Sequence, residues 1–214
     1  MSRRKKKQGA KPGHKGGSAP GKAEAAPMTQ AEFGQRFVLR TMAWLPLTAA
    51  IWFALVSPYN LTLIRSTESV ANLFESPNAT RLTWFQKHSL LITRTDFPSA
   101  RGHLNSIRVT DTHFPLIMMG AFFLATPGVS WRRRLIPLGW ALAISGVVHV
   151  TSLYCQIQLV YANELGEWSA ANYSGFERNF WGLTQHLLKL PVKFALPMIL
   201  WAFFYVRLLL PQRS

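Results

Sequence analysis

The sequence predicts a mainly α-helical, polytopic membrane protein. It has four transmembrane helices and a small extracytoplasmic helix-plus-β-hairpin insertion between spans 1 and 2. Three observations carry that expectation. Of the 214 residues, 49% are hydrophobic and only 15% are charged, against about 25% charged in an average soluble domain. The apolar residues gather into four runs, each near the roughly 20 residues that cross a bilayer as a helix. The basic residues cluster beside those runs. A chain of 214 residues cannot build a soluble core around four helices that are apolar on every side.

The first 36 residues form the basic tail. Residues 1–27 hold eight Lys or Arg against one acid, Glu24, with no aromatic residue. Such a segment buries too little apolar surface to offset chain entropy, so a disordered tail is expected. Arg3, Arg4, Lys5, Lys6 and Lys7 resemble a nuclear-import or RNA-binding cluster in composition. Beside a membrane span the simpler role is to set topology and to touch anionic lipid, at about 1 kcal/mol per cation, and no nucleic-acid partner is expected.

The uncharged runs are 41–64, 112–131 and 135–163, and a fourth, 191–211, carries only Lys193 and Arg207 near its ends. Long basic side chains there reach the headgroups. The spans are expected over 37–64, 113–131, 136–162 and 191–211. Cytoplasmic ends are rich in Lys and Arg. The tail through Arg40 carries ten, and the tight turn 132–135 carries Arg132, Arg133 and Arg134, which are assigned to topology and lipid contact. Four spans then place both termini in the cytoplasm. The basic leader is long for a signal peptide and Ala54-Leu55-Val56 is a poor cleavage site, so span 1 is expected to stay as an anchor. Trp44, Tyr59, Trp131, Tyr161 and Tyr205 fall where interfacial rings are expected.

The first outside segment, 65–112, opens with an apolar stripe of helical spacing over 58–76. Residues 89–95 and 104–110 are rich in β-branched residues with partial period two. A turn-rich stretch, 96–102, separates them, so a β-hairpin is expected. A lone hairpin is marginal in water, so one face needs a cover, and an edge could accept an extended peptide. In the second outside segment, 163–190, Ser174 and Glu177 fit a capping box. Phe176, Phe180, Leu183, Leu187 and Leu190 follow as an interfacial helix broken by Pro191.

Chemistry is sparse. Ser145, His149, Ser152 and Gln156 recur on one face of span 3. Intramembrane polar groups face the bundle interior, where they bond between helices or line a path. Cys155 is the single cysteine, so there is no disulfide framework and no multi-thiolate metal site. His149 lies about 120° around the helix from Cys155, so the two do not pair as nucleophile and base. The spacing of His88, His103, His113 and His186 matches no metal motif. Neither a metal nor a cofactor is expected. Asn60, Asn78 and Asn172 head glycosylation sequons.

Three stretches carry a family resemblance. Phe37-Val38-Leu39-Arg40-Thr41-Met42-Ala43-Trp44-Leu45-Pro46-Leu47 resembles the start of the first span in the exosortase H-associated membrane proteins. Thr110-Asp111-Thr112-His113-Phe114-Pro115-Leu116 and Phe194-Ala195-Leu196-Pro197-Met198-Ile199-Leu200-Trp201 resemble their later segments, over about residues 37–211. The resemblance implies an accessory protein of the bacterial inner membrane, beside enzymes that cut and sort exported proteins bearing a C-terminal signal. It carries over no catalytic residue. Leu153-Tyr154-Cys155-Gln156 is unlike the exosortase cysteine motif, so the chain is not read as the enzyme. The expected function is a non-catalytic accessory whose outside segments dock a sorting enzyme or its exported client. The alternative is a small transporter or proton-coupled subunit with a path along span 3, and a membrane cysteine enzyme is a remote third.

Overall fold

The computed structural model describes residues 29–75, 78–85, 89–96, 103–109 and 113–209. The protein is mostly helical, with a small sheet at one end. Helix α1 spans Gln30–Phe74, 45 residues and about 67 Å at 1.5 Å per residue. Thr29 and Glu32 start it with a reciprocal capping box. It runs unbroken through Pro46 and Pro58, so the helix expected over 58–76 is the far end of the same rod. Proline is tolerated in such helices because neighbours re-satisfy the freed backbone.

Helix α2 spans His113–Ala125 and α3 spans Trp131–Asn163. Helices α4 and α5 span Glu167–Asn172 and Gly175–Leu187, and α6 spans Lys193–Leu209. Ser174 and Glu177 form the expected capping box at the start of α5. Pro191 does not break the chain's course. It sits in a π-helical turn, Leu188–Val192, that joins α5 to α6. Three helical segments are long and apolar enough to cross a membrane: Gln30–Phe74, Trp131–Asn163 and Gly175–Tyr205.

The expected second span differs. Its helix is 13 residues, about 20 Å against a hydrocarbon core of about 30 Å. Thr126-Pro127-Gly128 ends it, with Gly128 at φ 75°, a conformation that favours glycine. Side-chain hydrogen bonds hold the chain where the helix ends. Thr126 Oγ1 donates to Phe122 O at 2.9 Å and accepts from Trp201 Nε1 at 2.9 Å. Arg134 donates to the carbonyls of Leu124 and Val129. Arg132, Arg133 and Arg134 thus lie in the first turn of α3 and not in a separate turn.

Short as it is, α2 packs against three helices, α1, α3 and α6. Its Gly120 lets α1 approach closely, since an added Cβ would sit 3.1 Å from Thr48 Cγ2. The outer helices turn Leu39, Phe53, Ile136, Val147, Ile199 and Phe203 outward. That much exposed apolar surface fits a lipid environment.

The sheet has three strands, not the two expected. β1 (Thr80–Phe85), β2 (Ser89–Arg94) and β3 (His103–Arg108) form an antiparallel meander in the order β1-β2-β3. β1 also alternates: Thr80 and Leu82 are buried and Arg81 is exposed. One face, Leu82, Leu90, Ile92 and Ile107, packs on Leu63 and Ile64 of α1 and on Leu153, Ile157 and Tyr161 of α3. A second core at the opposite end joins Met119, Phe123, Ala141, Leu200 and Tyr205. Tyr161 and Tyr205 are therefore core residues and not interfacial anchors. The Trp44 and Trp131 rings meet tilted by 30° with centroids 5.6 Å apart.

Candidate functional site

The polar face of α3 divides between two settings. Ser145 is fully buried and its Oγ lies 3.6 Å from Met119 Sδ, a packing contact with α2. His149, Ser152 and Gln156 instead line one cavity of about 40 Å³, room for about three water-sized groups. Its other walls are Gln185 of α5, Lys189 of the π turn, Lys193 and Leu196 of α6, Arg108 of β3 and Pro115 of α2. Three cations therefore converge on it, and no acidic residue lines it among the described residues.

The π turn explains how the cations meet. In an α-helix residues four apart drift by about 40° per step. A turn closed at i→i+5 is wider and reduces that drift, so Gln185, Lys189 and Lys193 reach the same cavity. Gln185 Nε2 donates to Gln156 Oε1 at 3.3 Å. Gln185 is 7% exposed and its buried Oε1 has no hydrogen-bond partner.

Behind the cavity, His149 is held from α1. It hydrogen-bonds Tyr59 through Nδ1, with the two rings edge to face at 6.1 Å. With Tyr59 as donor, the histidine proton stays on Nε2. Beside this pair His113 Nε2 meets Asn60 Oδ1 at 2.9 Å. The Trp52 ring stands edge-on to both Tyr59 and His113, at 5.0 and 5.5 Å. Asn60 is 1% exposed inside α1, so its sequon is read as structure. The sequence reading did not pair these residues, because each bond joins different helices and leaves no local signal.

The sheet is fastened to the bundle by Arg94, which the sequence reading also passed over. Its Nε and one terminal nitrogen donate to the two oxygens of Asp96 at 2.9 and 2.7 Å. Another lies 3.9 Å from Glu75. The guanidinium sits over the rings of Tyr161 and Trp168 at 4.7 and 4.5 Å. Thr80 Oγ1 adds bonds to Glu75 at 2.5 Å and to Tyr161 at 2.6 Å. The guanidinium holds the Asp96 carboxyl below its ordinary 3.8. A signal did exist: Leu90, Ile92 and Arg94 form the buried set of β2 in period two. An arginine in such a set needs partners.

Cys155 is buried on α3, and among the described residues no histidine is found hydrogen-bonded to it. No group of three or more His, Cys, Asp or Glu able to hold a metal occurs among the described residues. Arg3, Arg4, Lys5, Lys6, Lys7 and His88 lie outside the described residues, as does most of the 96–102 loop. Arg132 and Arg133 are exposed at the start of α3. Comparison with protein-family models, with curated proteins and with solved structures finds no match to this chain.

Proposed function

We propose that this protein is an integral membrane accessory protein that docks a partner through its sheet. The carrying observation is the asymmetry of the sheet's edges. The β1 edge is capped from α1: Leu82 N donates to Glu68 at 3.4 Å and Thr80 N to Glu75 at 2.9 Å. β3 pairs only with β2 among the described residues, and Ser106 is exposed on it. A strand with one open edge takes an extended segment by backbone hydrogen bonds. The Arg94 cluster fastens β2, the strand beside that edge, to the bundle.

In this reading α2 with 126–130 completes a fourth, short crossing. The basic tail and Arg132–Arg134 mark the cytoplasmic face of a bacterial inner membrane, and the sheet lies outside. The family resemblance at 37–47, 110–116 and 194–201 supports a sorting enzyme or its exported client as the partner. The hydrogen bonds Tyr59–His149 and Asn60–His113 favour one second reading, a small transporter or proton-coupled subunit with a polar path between α1 and α3.

The test is a photo-crosslinking residue at Asn105, next to Ser106 on β3, in native membranes. The accessory reading expects one exported or membrane partner, and expects Ser106→Lys to reduce its yield because an edge lysine opposes strand addition. Self-crosslinks alone, or an unchanged yield with Ser106→Lys, would overturn it.

A further inference from the structure

The cavity does not end at its polar walls. Two of its lining residues, Pro115 and Lys193, also line an apolar groove between α2 and α6 of about 100 Å³. The rest of that groove is Phe114, Met118, Phe122, Phe194, Pro197 and Met198. Phe114 and Phe122 are eight residues apart, so the groove follows α2 for about 12 Å. A cationic chamber and an apolar groove along α2 therefore share the wall made by Pro115 and Lys193.

We infer that chamber and groove form one binding site for a phospholipid, with the phosphate among Arg108, Lys189 and Lys193 and an acyl chain between α2 and α6. Charge argues for the headgroup. Three cations line one small chamber, which favours an anion there, and no acid lines it among the described residues. Arginine offers a fork suited to phosphate oxygens and lysine a mobile point charge. The histidine Nε2–H and the Ser152 hydroxyl add neutral donors at the wall. Gln185 supplies the independent observation: it is more than nine-tenths buried, lines the chamber and keeps one amide atom unpartnered. Exchanging O and N in both Gln156 and Gln185 preserves their mutual bond and leaves an N–H unmet instead. Either orientation leaves a polar group that a phosphate oxygen or a headgroup hydroxyl or ammonium satisfies.

The groove argues for the tail. An inorganic phosphate would leave Phe114, Met118, Phe194 and Met198 without a role at the mouth of the chamber, whereas an acyl chain covers them. Arg108 belongs to β3 but Lys189 and Lys193 do not, so the lysine variants test this site separately from the β3 edge.

The test is native mass spectrometry of the full-length protein in mild detergent. Phosphatidylglycerol is the lipid probe and inorganic phosphate the free-anion probe. The expected result is one retained phospholipid. Lys189→Gln/Lys193→Gln should lower its retention about tenfold, while Arg81→Gln, on the far surface of the sheet, should leave it unchanged. Met118→Trp, which fills the groove, should also lower phospholipid retention in a protein whose circular dichroism is unaltered. No retained lipid, or equal retention in the double variant, would overturn the proposal. So would binding of inorganic phosphate with no preference for phosphatidylglycerol, because it would leave the groove unused.

Discussion

Arg94 shows how one residue binds two parts of the molecule. It is 8% exposed, yet its charge meets Asp96, Glu75 and two aromatic faces. Removing one member of such a set strands the others. Arg94→Ala is expected to cost about 2–3 kcal/mol, below a fully buried pair because Asp96 is partly solvated. Chemical unfolding followed by tryptophan fluorescence would read it through Trp168. Arg94→Lys should recover only part, since an ammonium lacks the bidentate fork and the planar stack. The same site sets a pH response. Because the folded Asp96 carboxyl lies below its ordinary 3.8, its stabilisation is complete above about pH 4 and lost as pH falls through the folded value. Proteolysis of the sheet should stay flat from pH 7 to about pH 5 and rise below about pH 4. Asp96→Asn should flatten that rise.

At the scale of elements, α2 is decisive because it is short yet packs against α1, α3 and α6. Its contact with α1 depends on Gly120 facing Thr48. Small residues let membrane helices approach and gain dispersion contacts. Gly120→Leu overfills that contact and should cost about 1–3 kcal/mol, read as a lower denaturation midpoint in detergent. A matching loss of the Tyr59–His149 bond would follow, since α1 would be displaced from the bundle. Much of this level was legible beforehand: the long apolar helices, the capping box at Ser174, and β2 and β3 all follow from local patterns. The third strand at Thr80–Phe85 and the π turn at Leu188–Val192 were not read. β1 is a short run whose outer N–H groups are capped by Glu68 and Glu75 from another element. The π turn hides behind Pro191, whose local meaning is a break.

For the whole molecule, the number of crossings is the open quantity with the sharpest test. Three helices are long enough to span a bilayer, and α2 is about 20 Å. With α2 and 126–130 as a fourth crossing, both termini lie on one side. With α2 as a buried half-helix, they lie on opposite sides. The four-crossing reading expects equal labelling of N- and C-terminal cysteine tags by an impermeant reagent, in a Cys155→Ser background. Opposite labelling would reverse it. Bilayer thinning beside α2 is one way to accommodate the mismatch, and a lipid held in the α2–α6 groove is another.

By itself the sequence determined the solvent: few charges, long apolar runs and basic clusters at their ends follow from transfer free energies that act locally. It also determined the polar stripe Ser145, His149, Ser152 and Gln156, because helical period is a local property. Only the tertiary structure decided what that stripe faces. Ser145 meets α2, while His149, Ser152 and Gln156 meet Gln185, Lys189, Lys193 and Arg108 from other elements. Which charges converge depends on distances in space between residues far apart in the chain, and no local period encodes them.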